Sequence, residues 1–368
     1  VSAHSPSVLA LPSGVVALPA FLPDATHGVV RSVDSCDLEA AGVQAVVMST
    51  FHLMQRPGSS TVRALGGLHR MCGWSRPIVT DSGGFQAYSL IRQNPKWGTL
   101  SDNGLAFRPE GSSHKVILTP EKAVRLQLSY GSDLVVCLDD CTHPDASEDV
   151  QREAVERTIA WARRGKQEYT RVLEQKGVPE AHRPLLMGVI QGGLSPELRR
   201  RCANALLELG FDVLGYGGWP LDAAGNLLLD VLAYTRELVP LSIPMHALGV
   251  GHPVNLAFCV RIGYSLFDSA MPTRDARHGR LYVLPRGETM ASVDLSGDWL
   301  RFVHPGDAKH IKSKQPVMPG CDCACCTRYP LAYLHHLLKV GDGLFQRLAT
   351  IHNLRFMVLL TQRLAAAR

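Results

Sequence analysis

No run of 18 uncharged apolar residues occurs in this chain, which excludes a helix able to span a bilayer. The apolar N-terminal stretch carries Ser, His and Pro and lacks a basic leading segment, so no secretory signal is expected. Internal repeats and low-complexity tracts are absent, which removes solenoid and array architectures. Acid is scarce at the C-terminal end. Residues 301–368 hold Asp307, Asp322 and Asp342 against ten basic residues: Arg301, Lys309, Lys312, Lys314, Arg328, Lys339, Arg347, Arg355, Arg363 and Arg368. Such a local excess reads as a phosphate-binding surface or as a solvated basic helix face. Hydrophobic residues make up 46% of the 368, enough for a sizeable core. The length suits one large barrel-type domain with an appendage.

Cysteine is plentiful, and its distribution is informative. Ten are present, and three stand at metal-ligand spacing in Cys321-Asp-Cys323-Ala-Cys325-Cys326. The scatter of the rest points to a reducing compartment, and a cytoplasmic location is expected. His352 lies further on, in Leu348-Ala-Thr-Ile-His-Asn-Leu354, which reads as a helix. Cys321, Cys323, Cys326 and His352 make a closed set of four soft ligands, the donor set of a tetrahedral structural Zn2+. No fifth candidate and no open position remain, so the metal reads as architectural. The bland alternative is a loop of reduced thiols, and Cys325 is the odd one out.

Through the middle of the chain, short apolar runs alternate with helical patterns. The runs are 45–49, 78–80, 116–118, 134–138, 185–190, 212–214, 245–249 and 265–267. Apolar runs without alternation suit strands buried on both faces, hence a parallel sheet. Helices are predicted after Thr119, with Pro120 in the first turn, from Ser195-Pro196-Glu197, and over about 148–173. Eight such units indicate an α/β fold of (β/α)8 type. Residues 1–30 are expected as a small N-terminal β appendage, 31–280 as the catalytic barrel, and 281–368 as a zinc-binding helical subdomain. Gln86 to Leu118 reads as a long insertion.

In such a barrel, chemistry gathers at the C-terminal strand ends. Those positions hold Asp81, Asp139, Asp140, Gln191, Gly217, Gly218, Gly249, Gly251 and Asp268. A single Asp there is commonly a helix cap. Asp at three separate strand ends, interleaved with glycine pairs that let a ligand approach the backbone, points to a site. Two carboxylates flanking one substrate are the equipment of glycosyl transfer. Residues alone therefore lead to a glycosyl-transferring barrel with a basic, zinc-bearing appendage.

The strings Phe51-His-Leu-Met-Gln-Arg-Pro-Gly58, Thr80-Asp-Ser-Gly-Gly-Phe-Gln86, Ile190-Gln-Gly-Gly193, Leu248-Gly-Val-Gly251, Phe267-Asp268 and Pro272-Thr-Arg274, followed by the cysteine segment, resemble the tRNA-guanine transglycosylase family over nearly the whole chain. The resemblance implies exchange of the wobble guanine of tRNA anticodons for a 7-deazaguanine base. It implies Asp268 as nucleophile and Asp81 as general acid/base. Substrate contacts would come from Ser82, Phe85, Gln86, Asp139, Asp140, Gln191, Gly217, Gly218 and Leu248, with Phe85 and Leu248 stacking on the purine. Arg274 and Arg277 would contact the anticodon loop. A homodimer is implied, with the zinc region near its interface and no membrane involvement.

The chain departs from the family pattern in several places. Ser49 stands where Asn is usual, His246 where an aromatic is usual, and Trp219-Pro220-Leu221 where small residues are usual. These leave the reaction class alone and bear on the incoming base, 7-aminomethyl-7-deazaguanine being expected over queuine. The other readings are a non-catalytic tRNA-binding subunit, a paralogue acting on DNA, and a carbohydrate hydrolase. The first is disfavoured by the retained Asp81 and Asp268, and the last by the basic tail.

Overall fold

The computed structural model describes residues 5–108, 115–143 and 145–367. Its centre is an eight-stranded parallel sheet. The strands are β1 (Ala20–Pro23), β2 (Val46–Met48), β3 (Ile78–Thr80), β4 (Leu134–Val136), β5 (Leu185–Ile190), β6 (Val213–Tyr216), β7 (Met245–Ala247) and β8 (Leu266–Ser269). They pair in sequence order from β2 to β8, and β8 pairs with β1. A bridge between Asp24 and Val47, with Ala25 N donating to Val47 O at 2.7 Å, brings β1 back to β2 and nearly closes the barrel.

Side chains alternate across the strands. Val79, Leu134, Val136, Met187, Val189, Val213 and Leu266 fill the interior. Phe21, Ile78, Val135, Leu186, Leu214, Met245 and Phe267 pack outward in the larger core cluster. Both sets are apolar, which is why the strands read as continuous runs.

Two strand expectations need correction. Val116–Leu118 is not a barrel strand. It pairs antiparallel with Gly104–Phe107, which pairs with Gly98–Ser101, in a separate three-stranded sheet. Ile117 is 55% exposed, a position no barrel strand covered by helices would give it. The missing barrel strand is Ala20–Pro23, which falls in the stretch expected as appendage. The appendage itself is the hairpin of Val8–Leu11 and Gly14–Ala17. Leu9, Leu11, Val16 and Leu18 join the interior cluster, so the hairpin plugs the barrel. Asp133 locks it there, accepting from Ser13 N at 2.8 Å and Ile78 N at 2.8 Å while His69 Nε2 stands 3.1 Å away.

The predicted helices form as Pro120–Tyr130, Glu148–Lys176 and Pro196–Leu209, capped by Thr119, Ser147 and Ser195. After the barrel, Leu281–Val283 pairs with Arg301–Val303, and helices Ala324–Arg328, Leu331–Val340 and Gly343–Ala365 follow. The last is buried on several sides and packs against the Met271–Arg277 helix that follows β8. Among the described residues no helix is long and apolar enough to cross a membrane.

Candidate active site

Asp81 follows β3 and is held by backbone and side chain together. Its carboxylate accepts from Thr50 N at 2.9 Å, Gly83 N at 3.0 Å and Gln86 Nε2 at 2.9 Å. Thr50 Oγ1 returns a bond to Asp81 O at 2.6 Å. Burial pushes the carboxyl up to about 6, against the lowering effect of these donors and of Ser49. Gln86 thus orients Asp81 through Nε2, while its buried Oε1 has no hydrogen-bond partner. Ser82 is buried, its hydroxyl accepting from Gly84 N at 3.2 Å, so it shapes the turn. Ser49 keeps a polar group at this place, its Oγ 2.9 Å from His52 Nδ1.

Asp139 lies beyond β4 and accepts from Gln191 Nε2 at 2.6 Å. Burial first, and then the neighbouring Asp140 and Asp81, raise its carboxyl to about 7. Gly217 makes that bond possible: a Cβ there would stand 2.5 Å from Gln191 Nε2. Gly218 adopts a φ of +95°, open to glycine at little cost. Asp140 turns elsewhere. It is buried and bonded to Arg157 Nη1 at 2.5 Å, so it braces the loop against helix Glu148–Lys176.

Asp268 ends β8 with its side chain on the interior face, as alternation from Leu266 requires. Gly249 N donates to its Oδ1 at 3.1 Å, and His246 Nε2 lies 2.9 Å from the same oxygen. Leu248 packs on Gly215 inside the mouth, where a Cβ would sit 3.2 Å from its Cδ1. Phe85 is 44% exposed. Its ring meets Trp219 edge to face at 5.6 Å, and His143 meets Trp219 from another side at 5.8 Å. Trp219 is itself 41% exposed and lines a narrow cleft with Gln191 and Gly218, so it stands in the wall of the mouth and not in the core.

Beside Asp81, a groove of about 690 Å³ is lined by His27, Phe51, His52, Gln55, Arg56 and Lys122. Arg277 Nη1 is buried without a hydrogen-bond partner, and burial with Arg31 and Arg274 nearby lowers its pKa.

Cys321, Cys323, Cys326 and His352 converge, their ligand atoms all within 4.8 Å of one another. His352 Nδ1 stands 3.8, 3.7 and 3.3 Å from the three sulfurs. A tetrahedral zinc with ordinary bond lengths spaces its ligands about 3.5 Å apart, so the donors fit that ion. His352 Nε2 bonds Tyr282 O at 2.8 Å, which fixes the tautomer that leaves Nδ1 free to ligate. Arg355 grips Asp322 through two bonds of 2.7 and 2.6 Å and steadies the loop. Cys325 is buried outside the set.

A family model for queuine tRNA-ribosyltransferase matches residues 6–367. This chain belongs to that family. Queuine tRNA-ribosyltransferases from several bacteria are similar along nearly its full length. The protein of Pseudomonas syringae pv. tomato is 37% identical over 359 residues, covering 98% of this chain and 89% of that one. That of Azotobacter vinelandii is 38% identical, covering 94% and 86%. That of Thermotoga neapolitana is 36% identical, covering 95% and 87%. The chain is thus a pentosyltransferase of the queuine tRNA-ribosyltransferase family.

One residue that braces the candidate site was not singled out from the sequence. Arg199 is 1% exposed and donates to Ile190 O at 2.7 Å, Gly217 O at 2.9 Å and Gly193 O at 3.0 Å. It ties together the ends of β5 and β6, beneath Gln191 and Gly218. It stands in the run Arg199-Arg200-Arg201, a pattern ordinarily exposed to solvent. Its spacing from Cys202 and Leu206, three and seven residues on, put it beside the buried face and was the available signal.

Proposed function

We propose that this protein replaces the wobble guanine of tRNA anticodons with a 7-deazaguanine base, by two displacements at one ribose carbon. An Asp268 oxygen attacks C1′, and the bonding pair of the glycosidic bond leaves with guanine. Asp81 gives its proton to the departing purine. The incoming base then returns a proton to Asp81 and attacks C1′ through its ring nitrogen, and the Asp268–C1′ bonding pair goes back to the carboxylate. Two inversions retain configuration. Asp139, Gln191 and the Gly217-Gly218 backbone take the base edge, with Phe85 and Leu248 on its faces. A wobble base must leave its stack to reach this depth, which suits a single-stranded anticodon loop. Arg274 and Arg277 hold loop phosphates.

Zinc is the proposed occupant of the Cys3His cluster. It supplies cross-linking of the last helix to the loop and takes no part in the chemistry. The half-buried rings of Tyr329 and Tyr333 stack at 5.2 Å with the exposed His336 beyond, giving the proposed homodimer an aromatic face near the zinc.

The observation that carries the reading is that Asp81 and Asp139 lie close enough to influence each other, with Asp268 on the interior face of β8 and Asp81 raised to about 6, therefore able both to give and to take a proton near neutral pH. Incubation with radiolabelled guanine and bulk tRNA should carry label into acid-insoluble material. Wild type should also form a denaturation-resistant adduct with tRNA, and Asp268→Asn should form none. Absence of labelling, or labelling of DNA in place of tRNA, would sink the reading.

A further inference from the structure

His246 is fully buried, and alternation along β7 turns it into the barrel, between the outward Met245 and Ala247. Asp268 stands on the same interior face of the neighbouring strand. The ring's Nε2 is 2.9 Å from Asp268 Oδ1, yet neither ring nitrogen has an aligned hydrogen-bond partner. A buried imidazole without aligned partners is costly, so the position calls for an explanation beyond packing. Both neighbours of the carboxylate, Gly249 N and His246 Nε2, lie against Oδ1. Among the described residues no donor is found on Oδ2.

We propose that His246 is a positioning residue that makes the two oxygens of Asp268 inequivalent. This rests on Asp268 being the nucleophile. Oδ1 is anchored by the Gly249 amide, with Nε2 beside it at 2.9 Å to donate once the site fills, and Oδ2 is left free to attack. When Oδ2 bonds to C1′ and the pair of the breaking glycosidic bond leaves with guanine, Oδ1 becomes the carbonyl oxygen of the ester. The same two donors remain on it. When the incoming base displaces the ester, they hold the returning carboxylate in place for release. The role requires the tautomer that carries its proton on Nε2, the nitrogen that faces Oδ1. The loose alignment is that of a catalytic contact before substrate arrives, which tightens as the site fills. An ordinary aromatic ring at this place packs without donating through an edge nitrogen, so this chain anchors its nucleophile with an imidazole.

The test compares His246→Gln with His246→Asn. The Gln amide nitrogen reaches the place of Nε2, whereas the Asn amide stops near Nδ1, short of Oδ1. Both are polar and neutral. The rate of adduct formation with tRNA is measured in a single turnover, with KM for tRNA and the melting temperature alongside. Gln is expected to stay within about threefold of wild type and Asn to lose about ten- to a hundredfold, with KM and melting temperature shared by the two variants. Equal rates in the two variants would overturn the proposal. So would losses in both that follow a fall in melting temperature or tRNA affinity, which would assign His246 to packing alone. Asp268→Asn is the control. An adduct formed by that variant would defeat the nucleophile assignment itself, an outcome separate from the Gln and Asn comparison.

Discussion

Asp81 sits between opposing influences. Burial favours its protonated form, and the Thr50, Gly83 and Gln86 donors favour the carboxylate. The balance near 6 has a kinetic consequence. The acid that protonates departing guanine is lost as pH rises through that value, so single-turnover adduct formation should decline above about pH 6. Asp81→Asn should lower the rate by about a hundredfold and flatten that limb. A limb that survives the substitution would place the proton on another group. Trp219 acts through shape. On the proposed placement of the base against Phe85, the indole packed on that ring stands in the way of queuine's ring substituent, so 7-aminomethyl-7-deazaguanine should outcompete queuine in guanine displacement. A pocket wall discriminates by about 1–3 kcal/mol per methylene, and exclusion of a whole ring can exceed that. Trp219→Ala should raise queuine use at least tenfold relative to the smaller base, on the order of 1.4 kcal/mol. Equal use of both bases by wild type would show that the wall is no barrier.

The helix Gly343–Ala365 couples the metal cluster to the site. His352 supplies a ligand atom at one side, and the adjoining Asn353 is fully buried. Asn353 Nδ2 donates to Pro272 O at 2.9 Å and Arg280 O at 3.1 Å, while its Oδ1 accepts from Tyr282 N at 3.0 Å. The Met271–Arg277 helix, which carries Arg274 and Arg277, is thus fixed by the turn that bears the metal ligand. Removing zinc with a chelator, or Cys323→Ser, should lower the melting temperature and weaken tRNA binding together, because the metal supplies folding energy to this unit. A drop in turnover with stability and tRNA affinity both intact would make the metal catalytic.

Across the whole molecule, the basic excess of the C-terminal part is smaller than composition suggests. Arg301, Lys309, Arg347 and Arg355 are engaged by Asp298, Asp307, Asp37 and Asp322. Lys312, Lys314, Arg328 and Lys339 form no ion pair among the described residues and are exposed, and Arg274 and Arg277 add to them at the mouth. With about 0.7 counterion released per neutralised phosphate of a single strand, the slope of log K against log salt for tRNA should be about −3 to −4. A slope near zero would mean that these cations face only solvent.

The sequence by itself determined the barrel, the metal ligand set and which carboxylates could matter. Each of these is written in local pattern: apolar runs without alternation, cysteines two and three residues apart, Asp where a run stops. It could not separate Val116–Leu118 from Ala20–Pro23 as the eighth strand. Both are short apolar runs, and only packing decides which is covered on two faces. It could not say that Asp140 turns to Arg157 while Asp139 meets Gln191, because adjacent residues leave a strand end in opposite directions and their partners lie far along the chain. Nor could it say that His246 meets Asp268. That contact joins neighbouring strands whose register is set by the closure of the barrel, a property of all eight strands at once.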